Sequence, residues 1–222
     1  ASASNSFVTI LERRSRLSGR ALCVQGKRMR IRSSGAPLYR LKVTLRGSRP
    51  PIWRRFVVPS DIPLKRLHNA LQAVMGWTNS HLHQFEAGGV LYGTSDPELG
   101  VKCISESRTT LDHVLRRPKA RMTYEYDFGD GWEHDIVLEA VLPAEPGGVY
   151  PRVEAGKRAC PPEDVGGIHG YAHFLEALSN PAHPEHDDLR EWIGREFDPE
   201  AFTVHQANLD IHGGWTRVDR DA

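Results

Sequence analysis

Four carboxylates and three histidines mark the part of this chain where chemistry could sit. Glu125, Asp127, Glu133 and Asp135 fall within one run, Tyr124-Glu125-Tyr126-Asp127-Phe128-Gly129-Asp130-Gly131-Trp132-Glu133-His134-Asp135, with Asp130 near its middle. Carboxylates grouped this way could hold a hard divalent ion such as Mg²⁺ or Ca²⁺. His81, His83 and His134 add imidazoles suited to borderline metals, and His169, His173, His183 and His186 follow further along. A plainer account competes with the metal. Arg40, Lys42 and Arg46 alternate along an upstream segment with the period of a strand. A basic strand face beside an acidic one forms a salt-bridge ladder, and the cross-strand pairing rule favours the ladder. For His81 and His83, stacking on aromatic neighbours is favoured over ligation. No cofactor is expected beyond such a divalent metal.

The elements that position these residues start with a β-hairpin. A two-residue turn on Asp130-Gly131 would place Phe128 opposite Glu133. A three-residue loop, residues 129–131 with Gly131 left-handed, pairs Phe128 with Trp132, Tyr126 with His134 and Tyr124 with Ile136. The second register keeps one face aromatic and is therefore expected. Its other face sets Asp127 opposite Glu133 and Glu125 opposite Asp135. Like charges directly opposed destabilise a strand pair, so a cation should lie over that face.

Upstream, Tyr39, Leu41, Val43 and Leu45 alternate with Arg40, Lys42, Thr44 and Arg46, the mark of a half-buried strand. Residues 52–58 read as a second strand, stopped by Pro59. A helix follows, capped by Ser60 or Asp61, with Pro63 in its first turn and Gly76 at its end. Leu64, Leu67, Leu71, Val74 and Met75 form its apolar stripe. Residues 81–86 and 90–92 read as short strands, and residues 110–115 as a short element of either type. Beyond Pro161-Pro162 the pattern is helical. Tyr171, Phe174, Leu175 and Leu178 have helical spacing, Leu189, Trp192 and Ile193 mark another helix, and Asp198-Pro199-Glu200 opens a last one running through Phe202 toward Asn208. Strands first and helices last predict a single α+β domain, a mixed β-sheet with helices packed on one side and a helical C-terminal portion.

Cys160 precedes this helical part, a place that lowers a thiol pKa, but Glu163 and Asp164 oppose the shift. A buried structural thiol is the expectation, with the two carboxylates complementing the helix dipole. Gly166 and Gly167 shape the turn, and no Lys-Ser or Lys-Thr follows them as a phosphate-binding loop would require.

The 222 residues carry 39% apolar side chains, and no apolar stretch approaches a membrane span. The three cysteines, Cys23, Cys103 and Cys160, lack Cys-x-x-Cys spacing, which points to a reducing, cytoplasmic setting. Charge is unevenly spread. Residues 1–36 carry Arg13, Arg14, Arg16, Arg20, Lys27, Arg28, Arg30 and Arg32 against Glu12 alone, a balance of +7 that leaves −6 on the rest of a chain of net charge +1. The expected organisation is a basic arm over 1–36, a domain over 37–211 and a tail over 212–222. The arm could bind nucleic acid, lie on the acidic body, or be a solvated leader.

The hairpin, Tyr150-Pro151 and the run Arg158-Ala159-Cys160-Pro161-Pro162-Glu163-Asp164-Val165-Gly166-Gly167 together resemble the plasmid pRiA4b ORF-3-like family. Pro51-Ile52-Trp53-Arg54-Arg55, the helix over 67–77, His81-Leu82-His83, Gly170-Tyr171 and Phe197-Asp198-Pro199 match in the same order, so the resemblance spans roughly residues 38–208. It implies a compact α+β domain, found mostly in bacteria and archaea and on plasmids, whose members often carry a label linking them to insertion elements or a resolvase. It brings no established activity and no catalytic residues. Phe128, Gly129, Asp130, Gly131, Trp132, Cys160, Pro161, Pro162, Glu163, Asp164, Gly166 and Gly167 form its structural motif. No nucleophile with a recombinase-like arginine cluster is visible. The leading reading is a non-enzymatic binding module of a mobile-element-associated family, with nucleic acid or protein as partner and no membrane. The alternative is a metal-dependent hydrolase or nuclease using the acidic hairpin face and nearby histidines. A purely structural role is the third.

If residues 1–36 bind DNA, engagement of about four cations gives a log–log salt slope of roughly −3.6. Titrating DNA against full-length and arm-deleted protein at two salt concentrations checks this. Equal, salt-insensitive binding by both forms would contradict it.

Overall fold

Period-two alternation of apolar and charged residues builds the central strands of this protein into one sheet. The computed structural model describes residues 31–32, 35–95, 102–145 and 147–213. Along the chain run β1 (Ile31–Arg32), β2 (Leu38–Leu45), β3 (Trp53–Pro59), α1 (Leu64–Met75), β4 (His83–Ala87), β5 (Val90–Gly93), β6 (Ile104–Ser105), α2 (Leu111–Val114), β7 (Arg121–Tyr126), β8 (Trp132–Leu142), β9 (Val149–Tyr150), β10 (Arg152–Lys157), α3 (Gly167–Ser179), α4 (His186–Ile193) and α5 (Val204–Gly213). Eight strands form a mixed sheet in the order β10-β3-β2-β8-β7-β4-β5-β6, and only β5 and β6 pair in parallel. The result is the single-domain α+β architecture expected from the element order. No helix among the described residues is long and apolar enough to cross a membrane.

β1 pairs with β9 in a separate two-stranded ribbon. The end of the expected basic arm is therefore bonded to the body through Ile31 and Arg32. The remaining arm cations, Arg13, Arg14, Arg16, Arg20, Lys27, Arg28 and Arg30, lie outside the described residues, as does the tail from residue 214.

Leu41, Val43 and Leu45 of β2, Phe56 and Val58 of β3, Met122, Tyr124 and Tyr126 of β7, and Trp132, Ile136 and Leu138 of β8 belong to one buried core with the apolar stripe of α1. Burial of each such side chain contributes about 1.5–3 kcal/mol. The stripe is the predicted one, but α1 starts later than its capping residues suggested. Pro63 occupies the cap position and no side chain caps the helix, while Gly76 (φ 85°) ends it by donating its amide to Gln72. The last helix also starts later, at Val204, where the Thr203 hydroxyl accepts the Gln206 amide at 3.1 Å, while Phe202 packs against the Arg54 guanidinium at 4.2 Å.

The opposite face of the sheet carries charge. Arg40 pairs with Glu154 at 2.6 Å, Arg55 with Glu139 at 2.5 Å, and Arg46 spans Glu133 and Asp135. Lys42 lies 5.2 Å from the Trp53 ring. These pairs are part-exposed, so each is worth at most about 1 kcal/mol. Their effect is to neutralise the like charges that strand pairing brings together.

The hairpin register differs from the expected one by two residues. Tyr126 faces Trp132, Tyr124 faces His134 and Met122 faces Ile136, across a five-residue connection over 127–131. Asp127 causes the shift. It leaves the strand at φ 57°, its side-chain Oδ1 accepts the Gly129 amide at 3.0 Å, and its carbonyl accepts the Gly131 amide at 2.6 Å. A carboxylate folding back onto its own backbone makes such a turn without a strand partner. A slip of two preserves the aromatic face but ejects Phe128, which is 50% exposed, while Trp132 is fully buried. On the acidic face Glu125 now opposes Glu133, and Thr123 opposes Asp135.

Two predictions come from this core. Trp132→Ala should destabilise the protein by roughly 3–5 kcal/mol, whereas Phe128→Ala should change stability by no more than about 0.5 kcal/mol, both read by urea denaturation. Two buried histidines set the second. Burial lowers His68 to about 3 and His134 to about 4. Below about pH 6.5 the unfolded chain binds protons that the folded chain refuses, so stability must fall as the pH drops from 6.5 toward 4. The slope should approach roughly 1.4 kcal/mol per pH unit for each histidine. His134→Phe should remove one proton's share of that slope.

Candidate metal centre

Three segments that are remote in sequence meet at one end of the sheet: residues 77–82 between α1 and β4, the hairpin connection 127–131, and the turn 160–167 before α3. Trp77 begins the junction. Its ring stacks on Tyr126 at 5.2 Å, and its Nε1–H donates to the Pro161 carbonyl at 3.0 Å. Glu163 then ties all three segments together. Its carboxylate accepts the Thr78 amide at 3.1 Å, the Thr78 hydroxyl, and the Tyr126 hydroxyl at 2.6 Å. Tyr126 in turn accepts the Ser80 amide at 2.9 Å. Burial, reinforced by Glu163, holds the Tyr126 phenol well above its ordinary value, so it stays a donor.

This frame brings His81, Asp127 and Asp164 together. His81 Nδ1 stands 3.5 Å from Asp127 Oδ2, and Nε2 stands 3.4 Å from Asp164 Oδ1. One donor atom from each of the three lies within 4.8 Å of the others. The His81 ring meets Tyr126 edge-on at 5.8 Å. Asp127 is 8% exposed, and its amide donates to the Leu82 carbonyl at 2.9 Å, which locks the hairpin end to the His81 segment. Asp127 and Asp164 both sit in left-handed backbone, at φ 57° and 62°. Aspartate tolerates that region better than most side chains.

Two ligands about 2.1 Å from a tetrahedral ion lie roughly 3.4 Å apart. Each ring nitrogen of His81 therefore has one carboxylate oxygen at an edge-length separation. One imidazole and two carboxylates suit the borderline ion Zn²⁺, and the harder Mn²⁺ also accepts such a mixed set, whereas Ca²⁺ and Mg²⁺ favour all-oxygen shells.

The other anticipated ligands are placed elsewhere. Glu133 and Asp135 are engaged by Arg46, and Glu125 accepts a hydrogen bond from Gln84 at 2.6 Å. His134 is buried in the core, with Nδ1 donating to the Tyr124 carbonyl at 3.2 Å and Nε2 without a hydrogen-bond partner. His83 belongs to a second network. It lies flat on His68 at 3.4 Å and bonds Glu106 at 2.7 Å, which also pairs with Lys65. Burial alone would raise the Glu106 carboxyl, but His83 and Lys65 hold it below the usual range. His173 and His183 lie together between α3 and α4, where His173 pairs with Glu185.

The 160–167 turn departs from its expected role at two points. Glu163 faces Thr78 and Tyr126, and Asp164 faces His81, so neither serves the α3 dipole in the first turn. That task falls to Asp130, whose Oδ2 accepts the Gly166 amide at 3.2 Å. Burial pushes the Asp130 carboxyl up, and the charges of Asp127 and Asp164 add to the rise. Cys160 behaves as a structural thiol. Its Sγ accepts from Arg54 at 3.1 Å and contacts Met75 Sδ at 3.7 Å, and burial raises its pKa. Asp164 is the neighbour of His81 that sequence reasoning does not find, because only the folded turn brings the two together.

Residues 37–206 match the family described as plasmid pRiA4b ORF-3-like protein. The uncharacterized protein y4hQ of Sinorhizobium fredii is 44% identical over 190 residues, which cover 83% of this chain and 97% of that one. The crystal structure of MM3350, a protein of unknown function from Methanosarcina mazei Go1, superposes with a TM-score of 0.69 at 39% identity, covering 77% of this chain and 97% of its own.

Proposed function

The chain belongs to the plasmid pRiA4b ORF-3-like family, and we propose that it is a binding module whose ligand-holding centre is a divalent-cation site made by His81, Asp127 and Asp164. The observation that carries this reading is the convergence of one imidazole and two carboxylates, from three separate segments, within 4.8 Å. Three protein donors leave at least one coordination position for an oxygen atom of a bound partner. The cation acts here as a docking point. The acidic hairpin face, the other metal candidate, is less suited because Arg46 already neutralises Glu133 and Asp135.

Isothermal titration of chelator-treated protein with Zn²⁺ and with Mn²⁺ tests the reading. One saturable site per chain is expected, and a 100-fold excess of ion over Kd should stabilise the fold by about 2.7 kcal/mol. His81→Ala, Asp127→Asn and Asp164→Asn should each weaken binding by more than the roughly 10–100-fold typical of a partner outside the ligand set. Glu125→Gln should leave it unchanged. Absence of saturable binding, or binding that survives Asp127→Asn, would overturn the proposal.

A further inference from the structure

For both carboxylates to reach one ion, Asp127 must be held at a fixed separation from Asp164. The two carboxylates sit on different loops, 37 residues apart in sequence. Asp127 belongs to the hairpin connection, and Asp164 to the turn that leads into α3. Only if those loops are fixed against each other do the two donors stay within reach of the same ion.

We propose that Asp130 is the positioning residue of this centre, clamping the hairpin tip onto the Asp164 turn; the inference rests on the cation-site reading above. Both the side chain and the backbone of Asp130 make the clamp. Its Oδ2 accepts the Gly166 amide at 3.2 Å. Gly166 is the cap residue of α3, where the first N–H groups lack partners within the helix. A carboxylate from a distant loop is thus held at a helix start by a directed hydrogen bond and by the dipole together.

The backbone approach is closer still. A Cβ placed on Gly167 would lie 2.3 Å from the Asp130 carbonyl oxygen, and Gly167 has a φ of 69°. No side chain fits between the loops at that point, and the left-handed backbone is itself suited to glycine. Gly167 is therefore the complement of Asp130, and their contact fixes the distance between the two loops. Asp127 stands three residues before one side of the contact, and Asp164 three residues before the other. Asp130 has no place in the donor set itself, so its influence must run through geometry.

The inference separates cleanly from ligation, because an asparagine at position 130 keeps an oxygen that can accept the Gly166 amide. With Zn²⁺ titrated by calorimetry, Asp130→Ala should weaken binding about 10–100-fold, the range for partners outside the ligand set. Asp130→Asn should restore affinity to within a few-fold of wild type. Gly167→Ala, which pries the same contact apart from the other side, should weaken binding as Asp130→Ala does. Should Asp130→Ala not fold, the comparison of Asp130→Asn with Gly167→Ala carries the test alone. Equal losses in Asp130→Asn and Asp130→Ala would mean that Asp130 acts by its charge, and would overturn the inference. So would wild-type affinity in Asp130→Ala or Gly167→Ala. Failure of the wild-type protein to bind Zn²⁺ is a different result, and refutes the cation site itself.

Discussion

The buried guanidinium of Arg54 is the constraint around which the rest of this protein is arranged. Its five N–H groups find five acceptors: Nε meets the Val74 carbonyl, Nη1 the carbonyls of Trp53 and Lys157, and Nη2 the Arg158 carbonyl and the Cys160 thiol. The residue is 3% exposed, and all of these partners are neutral. A buried charge left short of partners would cost several kcal/mol, so every contact of the fork is required. Together they bind β3, the C-terminal turn of α1 and the segment after β10 into one unit. The 160–167 turn is therefore delivered to the end of α1, beside Trp77 and Thr78. From there Glu163 extends the order to Tyr126 and the hairpin. The candidate centre is the far end of a chain of hydrogen bonds that begins in the core.

The two faces of the sheet divide the charge between them in different ways. On the outer face, strand pairing would stack Glu125 against Glu133 and leave Asp135 beside them, and Arg46 crosses two of these carboxylates. That face is electrically satisfied by the protein itself. At the loop end, by contrast, Asp127 and Asp164 flank a single imidazole, and the nearby Asp130 carboxyl is raised by burial, with the charges of Asp127 and Asp164 adding to the rise. A cation has more to contribute there than on the ladder. Backbone strain is concentrated at the same end, with Asn79, Asp127 and Asp164 all at positive φ. Such strain is retained where surrounding contacts over-determine the geometry, as Glu163 and Asp130 do here.

Much of the fold could be read from residue order, because burial on a sheet follows a period of two and burial on a helix a period near 3.6. The stripe of α1, the inward set of β2 and the buried Trp132 were all visible on that basis. Arg54 was not, since an arginine in a strand ordinarily points to water, and only the converging carbonyls turn it inward. Phe128 misled for the opposite reason. Its apolar character suggested a core position, but Asp127 can bond its own backbone and close the connection earlier, which leaves Phe128 on the surface. Of the anticipated ligands, His81 and Asp127 do meet, while His83 and His134 are held in separate buried networks. Asp164 completes the set from a turn whose distance from His81 no local pattern encodes. Local periodicity thus reports elements well, and it is silent on which loops close over one another.

The most direct test of this account is anomalous diffraction at the zinc edge from crystals of the full chain equilibrated with Zn²⁺. One dominant anomalous peak is expected between the three segments, about 2.0–2.2 Å from an imidazole nitrogen of His81 and from carboxylate oxygens of Asp127 and Asp164. A peak on the outer acidic face instead, or none near His81 with the metal in excess, would contradict it.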